Sequence, residues 1–189
     1  MASELKGLRV AFLTANEGVE QAELTAPWQA VKEAGGTPEL LAPESGEVQG
    51  FHHTEPADTF PVHRSINDAD SLDYDALVLP GGVVNADELR TVPGAVTFAR
   101  RLFAEGKPAA MICHGPWLAI EGDLVRARTL TSWPSLMTDI RNAGGIWVDA
   151  EVQVCTNGPN TIVTSRKPDD LPAFCQQLVA VFAQQAQPA

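Results

Sequence analysis

Pro108-Ala-Ala-Met-Ile-Cys-His-Gly-Pro116 is the stretch on which the fold turns. Pro108 to Ile112 is a short apolar run, the kind that forms a strand buried on both faces. Gly115 to Glu121 reads as a helix, so Cys113-His114-Gly115 spans a sharp strand-to-helix turn. A cysteine placed there meets the unpaired N–H groups and the positive end of the macrodipole at the helix start. Both favour the thiolate, lower the thiol pKa and raise reactivity at neutral pH. Gly115 lets the helix pack closely behind the turn. The layout follows the logic of a nucleophile elbow, although Met111, two residues before the cysteine, is not small. A buried, inert cysteine is the other reading of the same residues.

Outward from this turn, strand and helix patterns alternate. Leu8 to Thr14 is an apolar run of β-formers, and Ala15 to Val19 reads as a loop. Glu20 to Ala34 looks helical, with Pro27 starting or kinking a turn inside it and Gly35-Gly36 ending it. Pro38 to Ala42 is a second strand. Residues 43 to 70 carry Gly46, Gly50, Pro56, Pro61 and three of the four histidines, and read as a loop excursion with one or two short strands. Asp75 to Pro80 is a strand stopped by Pro80-Gly81-Gly82, and Pro93 to Gly106 is a helix with a glycine C-cap. Leu130-Thr131 ends a short strand, Ser135 to Ala143 is a helix, and Val152 to Cys155 and Thr161 to Ser165 pair as a hairpin around the Asn157-Gly158 turn. Asp169 or Asp170 caps a last helix that runs to about Gln184. Such alternation predicts one α/β domain over residues 1–189, with a mostly parallel sheet and helices on both faces. Ligands of such sheets bind beyond the carboxyl ends of the strands. Asn16 to Glu23, Pro80-Gly81-Gly82 and Cys113-His114-Gly115 all fall at such ends.

Composition narrows the function. The 189 residues include 24 acidic and 13 basic side chains, a formal net charge of -11, which disfavours a general phosphate-backbone binder. No apolar stretch approaches the roughly 18 residues of a membrane span. The first residues lack the pattern of a secretory signal, and the three cysteines form no C-x-x-C pair, so a reducing cytoplasm is expected and a disulfide framework or zinc site is not. No G-x-G-x-x-G is present, the Gly-Gly turn is not a phosphate-binding loop, and no metal, flavin or nucleotide cofactor is expected.

His114 is the nearest candidate base, although adjacent side chains usually point apart. No histidine follows it, which excludes the Cys…His…Glu order of glutamine amidotransferases. His52, His53 and His63 read as solvated loop residues. Gly81 and Gly82 let backbone N–H groups approach a ligand and, with the His114 N–H, form a candidate oxyanion hole. Glu20 and Glu23 open the first helix on neighbouring faces, as ligands of the site or as solvated charges at a helix N-terminus. Cys155 and Cys175 read as packing residues. Trp133 walls the pocket or belongs to the core.

Thr14-Ala15-Asn16-Glu17, Glu20-x-x-Glu23-Leu24, Leu77-Val-Leu-Pro-Gly-Gly82, Ile112-Cys-His-Gly-Pro116 and Thr131-Ser-Trp-Pro134 occur in this order. As a set they resemble the DJ-1/PfpI superfamily, and within it the PfpI-type protease I and deglycase branch, from about Leu8 to Phe182. The resemblance implies a flavodoxin-like three-layer sandwich, akin to class I glutamine amidotransferases, with the cysteine on a nucleophile elbow. It also implies that Glu23, in protonated form, donates a hydrogen bond to the Cys113 sulfur and that Glu20 fills a second acidic position. Allowing one inserted residue after Pro-Gly-Gly, it places on Asp87 the acid that completes a Cys-His-acid triad from a neighbouring subunit, hence a dimer or hexamer.

Three activities follow from the resemblance. The first is a cofactor-independent cysteine hydrolase acting on reactive carbonyls or glycated protein side chains, deglycase- or glyoxalase-like, in stress protection. The second is an intracellular cysteine peptidase, and a shallow site at a subunit seam suits small aldehydes better than a folded chain. The third is a redox sensor or chaperone in which Cys113 is oxidised rather than turning over substrate.

Overall fold

The computed structural model describes residues 3–186. In chain order the strands and helices are β1 (Arg9–Leu13), β2 (Glu17–Glu20), α1 (Gln21–Glu33), β3 (Thr37–Ala42), β4 (Glu47–His52), β5 (Glu55–Pro61), β6 (Arg64–Ser65), β7 (Ala76–Leu79), α2 (Val83–Leu89), α3 (Pro93–Ala104), β8 (Ala109–Ile112), α4 (Pro116–Glu121), β9 (Thr129–Leu130), α5 (Met137–Asn142), β10 (Ile146–Trp147), β11 (Val152–Cys155), β12 (Ile162–Ser165) and α6 (Leu171–Phe182). Seven of the strands form one sheet in the order β11-β12-β8-β7-β1-β3-β6. Every pairing in it is parallel except β11 with β12. The order β3-β1-β7-β8-β12 is that of a flavodoxin-like sheet, with its switch point between β1 and β7.

Why these runs lie flat in the middle is visible in their alternation. Val10 and Phe12, Ala76 and Val78, and Ala110 and Ile112 pack into one core with Leu24 and Val31 of α1 and Phe174 and Leu178 of α6. Ala11 and Leu13, Leu77 and Leu79, and Ala109 and Met111 pack into the other with Phe98 and Leu102 of α3, Leu118 of α4 and Ile140 of α5. Successive side chains point to opposite faces, and both faces are covered, so each central strand is apolar throughout.

Several local expectations are corrected. Residues 15–19 are not all loop: Glu17–Glu20 forms β2, which joins β4 and β5 in a separate three-stranded sheet. The excursion from 43 to 70 is thus a built unit, with Val48 and Gly50 facing inward from β4. Pro27 sits inside α1 and does not end it. α2 follows Gly82 directly; its inward residues are Asn85, Ala86 and Leu89 while Val83 and Val84 are exposed, so it lacks the apolar stripe that would announce a helix. Asp170 stands at the N-cap of α6 without capping it, because its carboxylate is taken by the Arg166 guanidinium at 2.9 Å. Ser135 to Ala143 divides into a 3₁₀ turn and α5. The glycine C-cap after α3 is present: Gly106 has φ +74°, and its N–H donates to the Phe103 carbonyl.

Candidate active site

β8 delivers Cys113 at φ +60°, a left-handed conformation that costs a non-glycine residue about 1–3 kcal/mol and persists only where its surroundings impose it. Those surroundings are identifiable. The Cys113 N–H donates to the Ser165 carbonyl at 3.1 Å, and its carbonyl accepts from the Trp133 N–H at 3.0 Å. A Cβ on Gly115 would run into the Leu79 carbonyl, and one on Gly82, at φ +90°, into the Gly18 carbonyl. The turns that follow β7 and β8 therefore require glycine at 82 and at 115.

At the sulfur, His114 Nδ1 lies 3.1 Å from Cys113 Sγ, so the two adjacent side chains do converge. Trp133 stacks on the imidazole with ring centroids 5.9 Å apart and 25° between planes, and Trp117 packs on it at 5.2 Å. Burial pushes the His114 pKa down to about 4, which leaves the ring neutral and able to accept a proton at pH 7. The backbone N–H groups of Gly82 and His114 are directed at the sulfur.

Glu23 lies beneath Cys113 with no solvent-accessible surface. Its Oε2 accepts from the Gly81 N–H at 2.9 Å. Its Oε1 has no regularly shaped hydrogen bond among the described residues, and the carboxyl group interacts with the thiol. Burial first, then the charge of Glu20, pushes Glu23 up to about 8 despite the Gly81 N–H and the thiol, so at neutral pH it keeps its proton. The expectation of a depressed thiol pKa needs correction here. Burial pushes Cys113 up and a charged Glu23 pushes it further, against the lowering by the Gly82 and His114 N–H groups. With its proton in place Glu23 exerts no such repulsion. A thiolate at Cys113 is thus opposed less while Glu23 keeps its proton, and His114 Nδ1 is the imidazole nitrogen in contact with the sulfur.

Glu20, Glu23, Gly82, Cys113, His114 and Trp133 share a cavity of about 230 Å³, and Gly81 closes its floor between Glu23 and Cys113. A larger cleft, about 340 Å³, runs past Trp28, Phe60 and His63, but no cysteine and no acidic side chain is among its described lining residues, so the chemistry points to the smaller one. His63 is an exposed loop residue, as expected, whose Nδ1 accepts from the Leu40 N–H and whose ring packs on Trp28. Asp87 does not reach the cavity of its own chain; it is exposed on α2 and holds Arg90 at 2.7 Å. Cys155 is buried in the core, and Cys175 is partly buried on α6, where burial pushes its thiol up to about 11.

Three contributors escaped the sequence reading. Asn85 is fully buried, accepts from the Ala15 N–H at 2.8 Å and donates to the carbonyls of Pro80 and Gly81, tying β1 to the Gly-Gly turn. His53 and Thr54, at the tip of the β4–β5 hairpin, line the cavity beside Glu20. The tip's signal in the sequence was two polar residues between two strand-like runs, hidden by the surrounding glycines and prolines.

The profile described as DJ-1/PfpI family matches residues 8–181. The chain belongs to the DJ-1/PfpI family. It is 40% identical over 175 residues to the protein named Deglycase PH1704 from Pyrococcus horikoshii, covering 93% of this chain and 99% of that one. It is 37% identical over 174 residues to the protein named Protein/nucleic acid deglycase 2 from Escherichia coli, covering 92% and 97%. Among solved structures, a two-domain protein of Anabaena variabilis with a DJ-1/ThiJ/PfpI-like and a ferritin-like domain superposes with TM-score 0.84 at 29% identity, over 96% of this chain and 50% of that one. The flavodoxin-like α/β fold expected for the family is the one observed. Among the described residues, no helix is long and apolar enough to cross a membrane.

Proposed function

We propose that this DJ-1/PfpI chain is a cofactor-independent cysteine enzyme that removes dicarbonyl adducts from amino and thiol groups and converts the free dicarbonyl to a hydroxy acid. The observation that carries this reading is the strained Cys113, its sulfur 3.1 Å from a neutral His114 and against a buried, protonated Glu23, inside a cavity sized for a small carbonyl compound.

The steps follow from these groups. Sγ attacks the aldehyde-level carbon while its proton passes to His114 Nδ1. The Gly82 and His114 N–H groups are the donors nearest to the developing oxygen. From a glycated amine, the carbon–nitrogen bond breaks and the amine leaves with a proton from His114. A proton then moves from the attacked carbon to the neighbouring carbonyl carbon, so the first is oxidised to a thioester as the second is reduced to an alcohol. Water hydrolyses the thioester, releases the hydroxy acid and restores the thiol. No outside oxidant or reductant is required.

An oligomer, dimer or hexamer, fits this site, with Asp87 of one copy approaching His114 of the next. Exposed Val83, Val84 and Trp133 beside the cavity mouth support that arrangement. The same reading fits a cytoplasmic setting, where free thiols and reactive dicarbonyls meet.

The test is lactate formation from methylglyoxal and from its adducts with N-acetylcysteine and N-acetylarginine. Activity that falls to background in Cys113→Ala supports the proposal. Equal activity in Cys113→Ala refutes it, and cleavage of fluorogenic peptides without lactate formation assigns the site to a peptidase.

A further inference from the structure

The β4–β5 hairpin breaks a local rule at the cavity edge. His52 pairs with Glu55, so His53 and Thr54 alone make the loop. Two-residue hairpin loops call for a positive φ at the first position, which glycine adopts freely and asparagine or aspartate tolerate. Here that position is His53, at φ +58°, followed by a β-branched threonine. A glycine would make the turn at lower conformational cost. The imidazole contributes nothing to the fold that would offset this: His53 is exposed, and its side chain makes no hydrogen bond among the described residues.

The loop is nonetheless held in place. Glu20 Oε2 accepts the His53 N–H at 3.0 Å. The next residue, Gln21, donates to Asp58 Oδ2 at 2.7 Å and accepts the Asp58 N–H at 2.9 Å. Gln49 bonds across the same hairpin to the Ala57 carbonyl at 2.9 Å. The segment that leads into Glu23 therefore clamps the hairpin, and the clamped tip lines the Cys113 cavity together with Trp133 and His114.

We infer that His53 is a specificity-determining residue of the Cys113 site. Its imidazole contacts the part of a bound adduct that lies beyond the attacked carbonyl and selects polar, hydrogen-bonding groups there. Glu20 is a positioning residue that acts by holding the His53 loop. This deepens the reading of the preceding subsection and rests on it.

The experiment compares His53→Gly, Glu20→Gln and Glu20→Ala with the parent, using the methylglyoxal adduct of N-acetylcysteine. His53→Gly relieves the turn, so its thermal midpoint equals or exceeds the parent's, while KM rises about five-fold and kcat holds, as expected for loss of one neutral hydrogen bond made in both bound states. Glu20→Gln keeps an oxygen for the His53 N–H, so its KM rises less than that of Glu20→Ala, while the lost charge lets Glu23 ionise at lower pH and moves the alkaline limb of the pH profile. Glu20→Ala reproduces the rise. A KM for His53→Gly or Glu20→Ala that matches the parent overturns the corresponding assignment. A second readout needs no turnover: in a background with Cys155 and Cys175 replaced by Ser, the ratio of Cys113 alkylation by N-phenylmaleimide to that by iodoacetamide rises in His53→Gly. An unchanged ratio refutes His53 as a cavity wall. Cys113→Ala separates the two layers. Full activity in it sinks the enzyme reading, whereas an inactive Cys113→Ala beside an unaltered His53→Gly sinks only the His53 assignment.

Discussion

Replacing Glu23 by Gln tests the electrostatic basis of the site without changing its shape. Folding raises the Glu23 pKa from 4.5 to about 8, so between these values the unfolded chain has released the proton and the folded chain retains it. The folded state then binds more protons, and stability falls as pH rises through the window. Each pH unit is worth about 1.4 kcal/mol for a wholly buried group. His114 acts oppositely below 6.5: its folded pKa of about 4 makes stability rise with pH up to the unfolded value. The two slopes offset one another from about 4.5 to 6.5, and above 6.5 Glu23 acts alone. From pH 6.5 to 8 the parent is expected to lose about 2 kcal/mol that the Gln variant keeps.

With a urea slope of about 2 kcal/mol per molar for a chain of this size, that loss corresponds to roughly 1 M in the unfolding midpoint. The assay is urea unfolding of both proteins at half-unit pH steps from 5 to 8.5, followed by tryptophan fluorescence. Above 8.5 the ordinary ionisation of cysteine in the unfolded chain adds its own slope and ends the useful range. Curves for the parent and Glu23→Gln that stay parallel between pH 6.5 and 8 would refute the reasoning. Glu23 would then be ionised in the folded protein at neutral pH, and no proton would stand between it and the Cys113 sulfur.

Four further outcomes are expected. The pH profile of kcat/KM is flat from about 5 to 7.5, with an acid limb near His114's folded value and an alkaline limb as Glu23 ionises near 8; an acid limb at 6.5 contradicts a buried neutral imidazole. Asn85→Ala leaves the Ala15 N–H and the Pro80 and Gly81 carbonyls without their buried partner and lowers unfolding stability by about 2–4 kcal/mol, read by urea denaturation. Gly82→Ala meets both a positive φ and the Gly18 carbonyl, and costs about 3 kcal/mol or more by the same measurement. Asp87→Ala and Cys113→Ala are each inactive alone, and mixing them after reversible dissociation restores part of the activity, because some interfaces then pair an intact Cys113 with an intact Asp87; no recovery on mixing refutes a site shared between copies.

How much of this was legible without coordinates depended on whether a residue's reason lay near it in the chain. The central strands were readable because burial on both faces forces each of them to be apolar from end to end, as in Ala76–Leu79 and Ala109–Ile112. The elbow was readable because a strand, a single Cys-His-Gly turn and a helix leave the thiol one place to go. α2 was not, since its buried face carries Asn85 for the sake of carbonyls and an N–H that reach it from Ala15, Pro80 and Gly81. The pKa of Cys113 was misjudged for a related reason. Helix N–H groups are a local feature, whereas the burial and the carboxyl group that oppose them arrive from α1, ninety residues earlier.

Among the described residues four non-glycine positions have positive φ: Asp123 and Ala127 lie in the loop between α4 and β9, and the other two meet at one cavity. Cys113 and His53 occupy the left-handed region without being glycine, and both line it. Glu23 is an acid with no accessible surface and, among the described residues, no basic partner, and it lines the same cavity. Each departure costs stability, and separate segments supply the restraint: Ser165 of β12 and Trp133 in the turn after β9 hold Cys113, while Glu20 of β2 and Gln21 at the start of α1 hold the His53 hairpin. Two independently clamped walls facing one thiol are costly to keep for packing alone, since glycine at 53 and an apolar residue at 23 would relieve both strains. The arrangement makes sense when the cavity must present a nucleophile, hold a proton beside it and measure what enters, which is the combination that the paired His53→Gly and Glu23→Gln experiments take apart.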